Sequence, residues 1–175
     1  MTGVQTCALP IYILRLEYNR DINKFPLAIV YCYNHIDVSN AIKWSRRNCI
    51  ELRIRTGGHN YEGYSTDTDV LVIDISCMNR IDIDTKNDIA VIQAGSMLGS
   101  IYSKLADQGY GFNGGTCPTV GISGLVLGGG IGLSCRNFGL ITDNLLEIQI
   151  VNENGILITA NDQNNSELFW ACRGD

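Results

Sequence analysis

The apolar and polar positions divide the chain into short apolar runs separated by turns. Leu27 to Tyr33 is a β-rich apolar run behind Pro26 and predicts a strand. Asp37 then stands where a helix cap belongs, with Val38, Ala41, Ile42 and Ser45 along one helical face. Glu51 to Arg55 alternates into a second strand that stops at Gly57-Gly58, and Val70 to Ile75 predicts a third. Together they make a β-α-β-β unit over residues 22–80. Ile89 to Gln93 predicts a further strand. Ser96 is placed to cap a helix with Leu98, Ile101, Tyr102 and Leu105 facing inward, and Gly109 suits its C′ position. Leu145 to Val151 and Ile156 to Ala160 flank Asn154-Gly155, a strong hairpin signal. Ser166 to Ala171 predicts a last helix that buries Leu168, Phe169 and Trp170. The order is mixed α+β, without the strict alternation of a doubly wound sheet.

A length of 175 residues allows one domain or two small lobes that share an interface. The net charge of -5 leaves no basic face to neutralise phosphates, which argues against a nucleic-acid partner. Any phosphate-bearing ligand must therefore be held by backbone N–H groups. Seven cysteines are an odd number without a C-x-x-C pair, and His35 and His59 are the two histidines. That pattern points away from a disulfide framework and from a metal site, and favours a reducing, cytoplasmic setting. No apolar run approaches the length of a membrane span.

Met1 to Ile11 lacks the basic start of a signal peptide, and Pro10 breaks its apolar stretch. The segment resembles a translated sequencing adapter, and residues 1–20 are expected to form a leader outside the fold. The chain stops abruptly at Arg173-Gly174-Asp175, so it reads as a fragment of a longer protein. That tripeptide is better explained as an interrupted glycine turn than as an adhesion motif.

Two segments carry candidate chemistry. In Arg55-Thr56-Gly57-Gly58-His59-Asn60, two glycines free the backbone for close approach to a ligand. Successive N–H groups in such a turn form an anion-binding nest suited to a diphosphate. The alternative is a hairpin turn with a solvated histidine. The second segment runs from Gly114 to Gly132. It is not a dinucleotide-binding fingerprint, because position 133 is Leu where glycine is required, and no Gly-Lys-Ser/Thr follows to make a P-loop. What remains is backbone packed closely on something flat or bulky, or tight helix–strand packing. Within it Cys117 precedes Pro118; it is either a thiol activated by nearby N–H groups or an inert buried cysteine. Cys32, Cys49, Cys77, Cys135 and Cys172 are expected to be inert, in strands, helices or apolar surroundings.

Four ordered blocks, RTGGHNYEGYS, QAGSMLGSIYSKL, GTCPTVGISGLVLGGGIGLSCRNFGLITDNL and ELFWACRG, cover Asp21 to Gly174. They resemble the FAD-binding PCMH-type domain of berberine bridge enzyme-like oxidoreductases, in the vanillyl-alcohol oxidase/p-cresol methylhydroxylase superfamily. The resemblance implies two α+β subdomains, about 21–80 and 81–175, with FAD between them and a substrate domain beyond the chain. It implies that His59 bonds the flavin 8α carbon and that Cys117 bonds flavin C6. It places the backbone of Thr56 to Tyr61, with Gly57, Gly58 and Asn60, at the diphosphate, and counts Arg55 among the cofactor-binding residues. Gly121 to Gly124, with Ser123, fall along the flavin and ADP portion, Ile150 near the adenine, and Thr116, Val120 and Gly130 are further cofactor-binding positions. Val120 stands where the family controls oxygen access, and valine there resembles oxygen-reactive members. The implied activity is oxidation of an alcohol, a sugar hydroxyl first, with oxygen as acceptor and the catalytic base outside this chain. The competing readings are a flavin dehydrogenase using another acceptor and a non-catalytic flavin-binding fragment. The chain departs from the pattern at Leu125, where many plant members carry histidine, and at Asp175, where more glycines are expected.

Overall fold

The computed structural model describes residues 11–174. Its first unit is a three-stranded parallel sheet in the order β1-β3-β2, with β1 at Ala28–Tyr31, β2 at Leu52–Arg55 and β3 at Leu71–Asp74. Leu71 faces Ala28 on one side and Leu52 on the other. Every residue of β3 is buried, as a central parallel strand requires. A helix follows α1 (Ile11–Leu14) and β1: α2 (His35–Arg47) lays Val38, Ala41 and Ile42 against Cys32, Leu71, Ile73 and Ile75.

The cap of α2 differs from expectation. Asn34 is the N-cap, accepting from the N–H groups of Ile36 and Asp37, while the Asp37 carboxylate accepts from the N–H of Tyr33. Asp37 lies one turn inside, where an acidic side chain also complements the helix dipole. Cys49 is likewise corrected: it is exposed, at φ +53 in the turn behind α2.

The second unit begins with an antiparallel pair, β4 (Ile81–Asp84) and β5 (Ile89–Ile92). Its core gathers Ile81, Leu98, Ile101, Leu105, Ile122 and Ile141. The helix α3 (Leu98–Ala106) is capped at Met97, not at Ser96, whose fully buried hydroxyl has no partner among the described residues. The first N–H groups of a helix have no acceptor inside it. Here loop carbonyls supply them: Leu98 N donates to Val120 O at 3.0 Å and Gly99 N to Pro118 O at 2.9 Å. Gly109, at φ +80, then turns the chain away behind the helix.

The glycine-rich stretch contains three short elements that its composition conceals: α4 (Ile122–Leu127), α5 (Cys135–Phe138) and a 3₁₀ turn at Ile141–Asn144. The hairpin of β6 (Glu147–Val151) and β7 (Leu157–Asn161) forms around Gly155 at φ +70. It docks on the first unit: Ser39 Oγ donates to Gly155 O at 2.6 Å, and the Arg46 guanidinium donates to Glu153 O and Asn154 Oδ1. In α6 (Ser166–Ala171) Phe169 is buried, but Leu168 is only half-buried and Trp170 is 61% exposed. Two turns of helix can bury one face only, and Arg173 sits over the other side of the Phe169 ring.

Residues 11–20 also differ from the expected leader. Arg15 and Glu17 are buried, and Tyr18 N–H donates to Gly58 O at 2.9 Å. This stretch packs into the domain because Glu17 finds a buried cation there. The part of the leader before Ile11, with Cys7, lies outside the described residues, as does Asp175.

Leu127, Ile131, Leu133 and Phe138 form a run of exposed apolar side chains, with Leu133 89% exposed. Exposed patches of this kind drive association. The isolated chain is expected to self-associate as concentration rises, read by light scattering. A monodisperse monomer at high concentration would contradict this.

Candidate functional site

The site is built where the end of β2 meets the loop that precedes α4. β2 delivers Arg55 into the interior. Its Nε lies 2.7 Å from Asp74 Oδ2 and its Nη1 3.4 Å from Glu17 Oε1. Burial alone would lower the Arg55 pKa, but Asp74, with help from Glu17, holds it above the ordinary value. Ser65 Oγ donates to the other Glu17 oxygen at 2.9 Å, and Ser76 donates to Asp74 Oδ1. The buried charges are therefore paired and hydrogen-bonded, as their burial demands.

Beyond Arg55 the chain makes direct backbone contact with the second loop. A Cβ on Gly57 would lie 2.7 Å from Thr119 O and 2.8 Å from Gly121 N, and one on Gly121 would lie 2.4 Å from Thr56 Cγ2. Thr56 Oγ1 and Ser123 Oγ share a hydrogen bond at 2.7 Å across the same seam. Gly58, at φ +65, faces the Glu17 carboxylate, which fills the space a side chain would need. Among the described residues, the N–H groups of Gly57, Gly58, His59, Asn60 and Tyr61 donate no hydrogen bond. Five such donors in succession form an electropositive concavity. Asn60 folds the loop by accepting from the N–H groups of Glu62 and Tyr64, and Tyr61 is 80% exposed.

This seam brings together the two expected reactive side chains. His59 Nε2 lies 2.9 Å from Thr119 Oγ1, and Cys117 Sγ lies 3.4 Å from the same oxygen. Desolvation lowers the His59 pKa, opposed by Glu17 and by hydrogen bonding at Thr119. The Cys117 thiol is lowered, chiefly by its hydrogen bond to the Thr119 side chain. Tyr18 stacks on the imidazole, with centroids 4.0 Å apart and planes at 21°. Cys32 shows the opposite environment: burial, with Asp37 and Asp74 nearby, pushes its thiol up to about 12.

The remaining expected residues are more dispersed. Thr116 lines an open cleft of about 470 Å³ with Tyr102, Phe112 and Leu133. Val120 contributes its carbonyl to α3, and Gly124 has open space where a side chain would be. Gly130, at φ +76, packs on Ile141, and Ile150 stands in β6 opposite Ile158. Three residues of the site were not anticipated. Thr119 lies in the expected segment, but threonine carries no local signal of its role beside Cys117. Glu17 and Tyr18 carry no local signal and fall within the expected leader.

A family model described as an FAD binding domain matches residues 26–161. The chain belongs to this FAD-binding domain family. It is 42% identical over 159 residues to an uncharacterised FAD-linked oxidoreductase, YvdP, of Bacillus subtilis, covering 90% of this chain and 36% of that protein. The FAD-binding domain superposes on the berberine bridge enzyme-like 1 protein of Physcomitrella patens with a TM-score of 0.90 at 40% identity, over 93% of this chain and 36% of that one. It superposes on the glucooligosaccharide oxidase of Acremonium strictum with a TM-score of 0.86 at 31% identity, over 90% and 34% of the two chains. That oxidase carries a 6-S-cysteinyl, 8α-N1-histidyl FAD. The chain spans about a third of the length of these relatives. Among the described residues of the FAD-binding domain, no helix is long and apolar enough to cross a membrane.

Proposed function

We propose that this chain is the FAD-binding portion of an oxidase that takes hydride from an alcohol, with FAD joined through His59 at the 8α carbon and Cys117 at C6. The observation that supports it is the convergence of both side chains on Thr119 Oγ1, from loops 60 residues apart. An imidazole nitrogen and a thiolate are the side chains suited to adding to an electrophilic ring. The N–H groups of residues 57–61 suit a diphosphate held without a cation cluster, as the acidic chain requires.

FAD held there would supply the hydride-accepting centre, with oxygen as the final electron acceptor and hydrogen peroxide as the product. The protein's part is to bind and orient. Thr56 to Tyr61 hold the diphosphate. Thr116, Val120, Gly121, Ser123, Gly124 and Gly130 line the flavin and ADP portion, with Ile150 toward the adenine. Val120 admits oxygen. A base outside this chain takes the hydroxyl proton, so the isolated chain holds FAD without efficient turnover. The likeness to a glucooligosaccharide oxidase supports a sugar or oligosaccharide hydroxyl as substrate.

The test is flavin fluorescence on the protein band after acid denaturation of chain expressed with FAD. Fluorescence should survive in His59→Ala and in Cys117→Ala singly, each at reduced yield, and vanish in the double variant. Flavin released entirely from the unaltered protein would refute covalent attachment. Slow reoxidation of photoreduced flavin in air would point instead to a dehydrogenase.

A further inference from the structure

Thr119 carries one hydroxyl proton and faces two groups that each have a proton to give or take. Its Oγ1 lies 2.9 Å from His59 Nε2 and 3.4 Å from Cys117 Sγ. A hydroxyl donates once and accepts from its lone pairs. When the Thr119 proton is donated within the trio, the chain of three groups runs in one of two directions. In one, Cys117 S–H donates to Oγ1 and Oγ1–H donates to Nε2, which leaves the imidazole proton on Nδ1. In the other, Nε2–H donates to Oγ1 and Oγ1–H donates to the sulfur, which leaves the lone pair on Nδ1. No hydrogen bond engages Nδ1 among the described residues, so nothing else selects the tautomer.

We infer that Thr119 is a positioning residue that couples ionisation of Cys117 to the tautomer of His59, so that the thiolate and a free Nδ1 lone pair arise together. The inference rests on the attachment proposed above for its purpose, though not for its geometry. The proton balance is closed. The thiol proton passes to Oγ1 as the Oγ1 proton passes to Nε2, and the Nδ1 proton leaves to water. The products are a thiolate that accepts from Thr119 and a neutral imidazole that donates to it. Both nucleophiles are armed in one titration. The surroundings favour that direction. The Tyr18 ring stacked on the imidazole restrains its orientation beside Oγ1. Two contacts of the second loop with α3, Leu98 N to Val120 O and Gly99 N to Pro118 O, hold the backbone on both sides of Thr119. The groups facing the pair from packed elements are Glu17, behind Gly58, and the Arg55 it neutralises. The lowered Cys117 thiol agrees with the same hydrogen bond.

The experiment uses the flavin-free chain, with Thr119→Val to remove the hydroxyl at constant shape and Thr119→Ser to keep it. Thr119 is exposed, so neither change opens a core cavity. Cys117 alkylation by iodoacetamide is followed across pH by peptide mass, with unreactive Cys32 marking folded samples. The His59 tautomer is read in the same samples from its ¹⁵N shifts. In the unaltered chain His59 should shift toward the Nε2–H form as pH rises through the Cys117 midpoint. In Thr119→Val the midpoint should move up by about one unit, a roughly tenfold slower reaction at pH 7, and the tautomer should no longer follow it. Thr119→Ser should restore both. An unchanged midpoint in Thr119→Val, or a tautomer that ignores the Cys117 titration in the unaltered chain, overturns the inference. Coupled titration here, together with no covalent flavin on the same chain when it is expressed with FAD, would support the inference and refute the attachment.

Discussion

Arg55→Leu should lower the stability of the chain by about 3–5 kcal/mol, the cost of breaking a buried ion pair by removing one partner. Arg55 is 5% exposed, and its two partners, Glu17 and Asp74, are 2% and 3% exposed. Without the guanidinium, two carboxylates remain in the interior with only serine donors, Ser65 on one and Ser76 on the other. A loss of that size is a large part of the stability of an ordinary domain, about 5–15 kcal/mol. The urea midpoint should fall steeply. Arg55→Lys keeps the charge but loses the planar fork, so it should fall between the two. The effect extends to the site, because Glu17 precedes Tyr18, which stacks on His59, and Arg55 precedes the loop that bears it. A loss below about 1 kcal/mol in Arg55→Leu would mean that the carboxylates reach water in the folded state.

Gly121→Ala should separate the two loops that make the site. Gly121 has φ -76 and ψ 136, which any residue adopts, so the penalty lies in contact and not in backbone strain. The new methyl would meet Thr56 Cγ2 at 2.4 Å, Thr56 Cβ at 2.7 Å and Gly57 N at 2.9 Å. Thr56 cannot swing aside without giving up its hydrogen bond to Ser123. Overpacking of this kind costs about 1–3 kcal/mol. The functional loss should be larger, because the displacement falls on the contact between His59 and Thr119. Covalent flavin yield should drop at least tenfold by denatured-gel fluorescence. Gly111→Ala, with nothing within 4 Å of the added carbon, should change neither stability nor yield. Equal yields for Gly121→Ala and the unaltered chain would show that the seam is not needed for attachment.

Much of this was legible in the residues. The strands of the first unit were readable because Leu27 to Tyr33 is an apolar run and Val70 to Ile75 is broken only by Asp74, while their parallel pairing was not. The hairpin was readable because Asn154-Gly155 names its own turn. β4 was missed because Ile81-Asp82-Ile83-Asp84 is half acidic, which reads as an exposed turn. The helix caps were misassigned by one to three residues, since Asn34 and Asp37 suit a cap equally by type. Choosing between them depends on which N–H groups are free.

By itself the sequence determined the local chemistry: which runs form strands and helices, where glycine permits close approach, and that a histidine and a cysteine each stand in a glycine-rich segment. Those properties depend on side-chain type and short-range spacing. Only the tertiary structure decided that Thr119 stands between His59 and Cys117, that Glu17 and Tyr18 support them, and that Gly57 and Gly121 touch backbone to backbone. These contacts join segments up to 64 residues apart, and no local pattern encodes which distant backbone will close on which. That choice is made when two cores pack and the loops between them have one way to satisfy their charges and N–H groups.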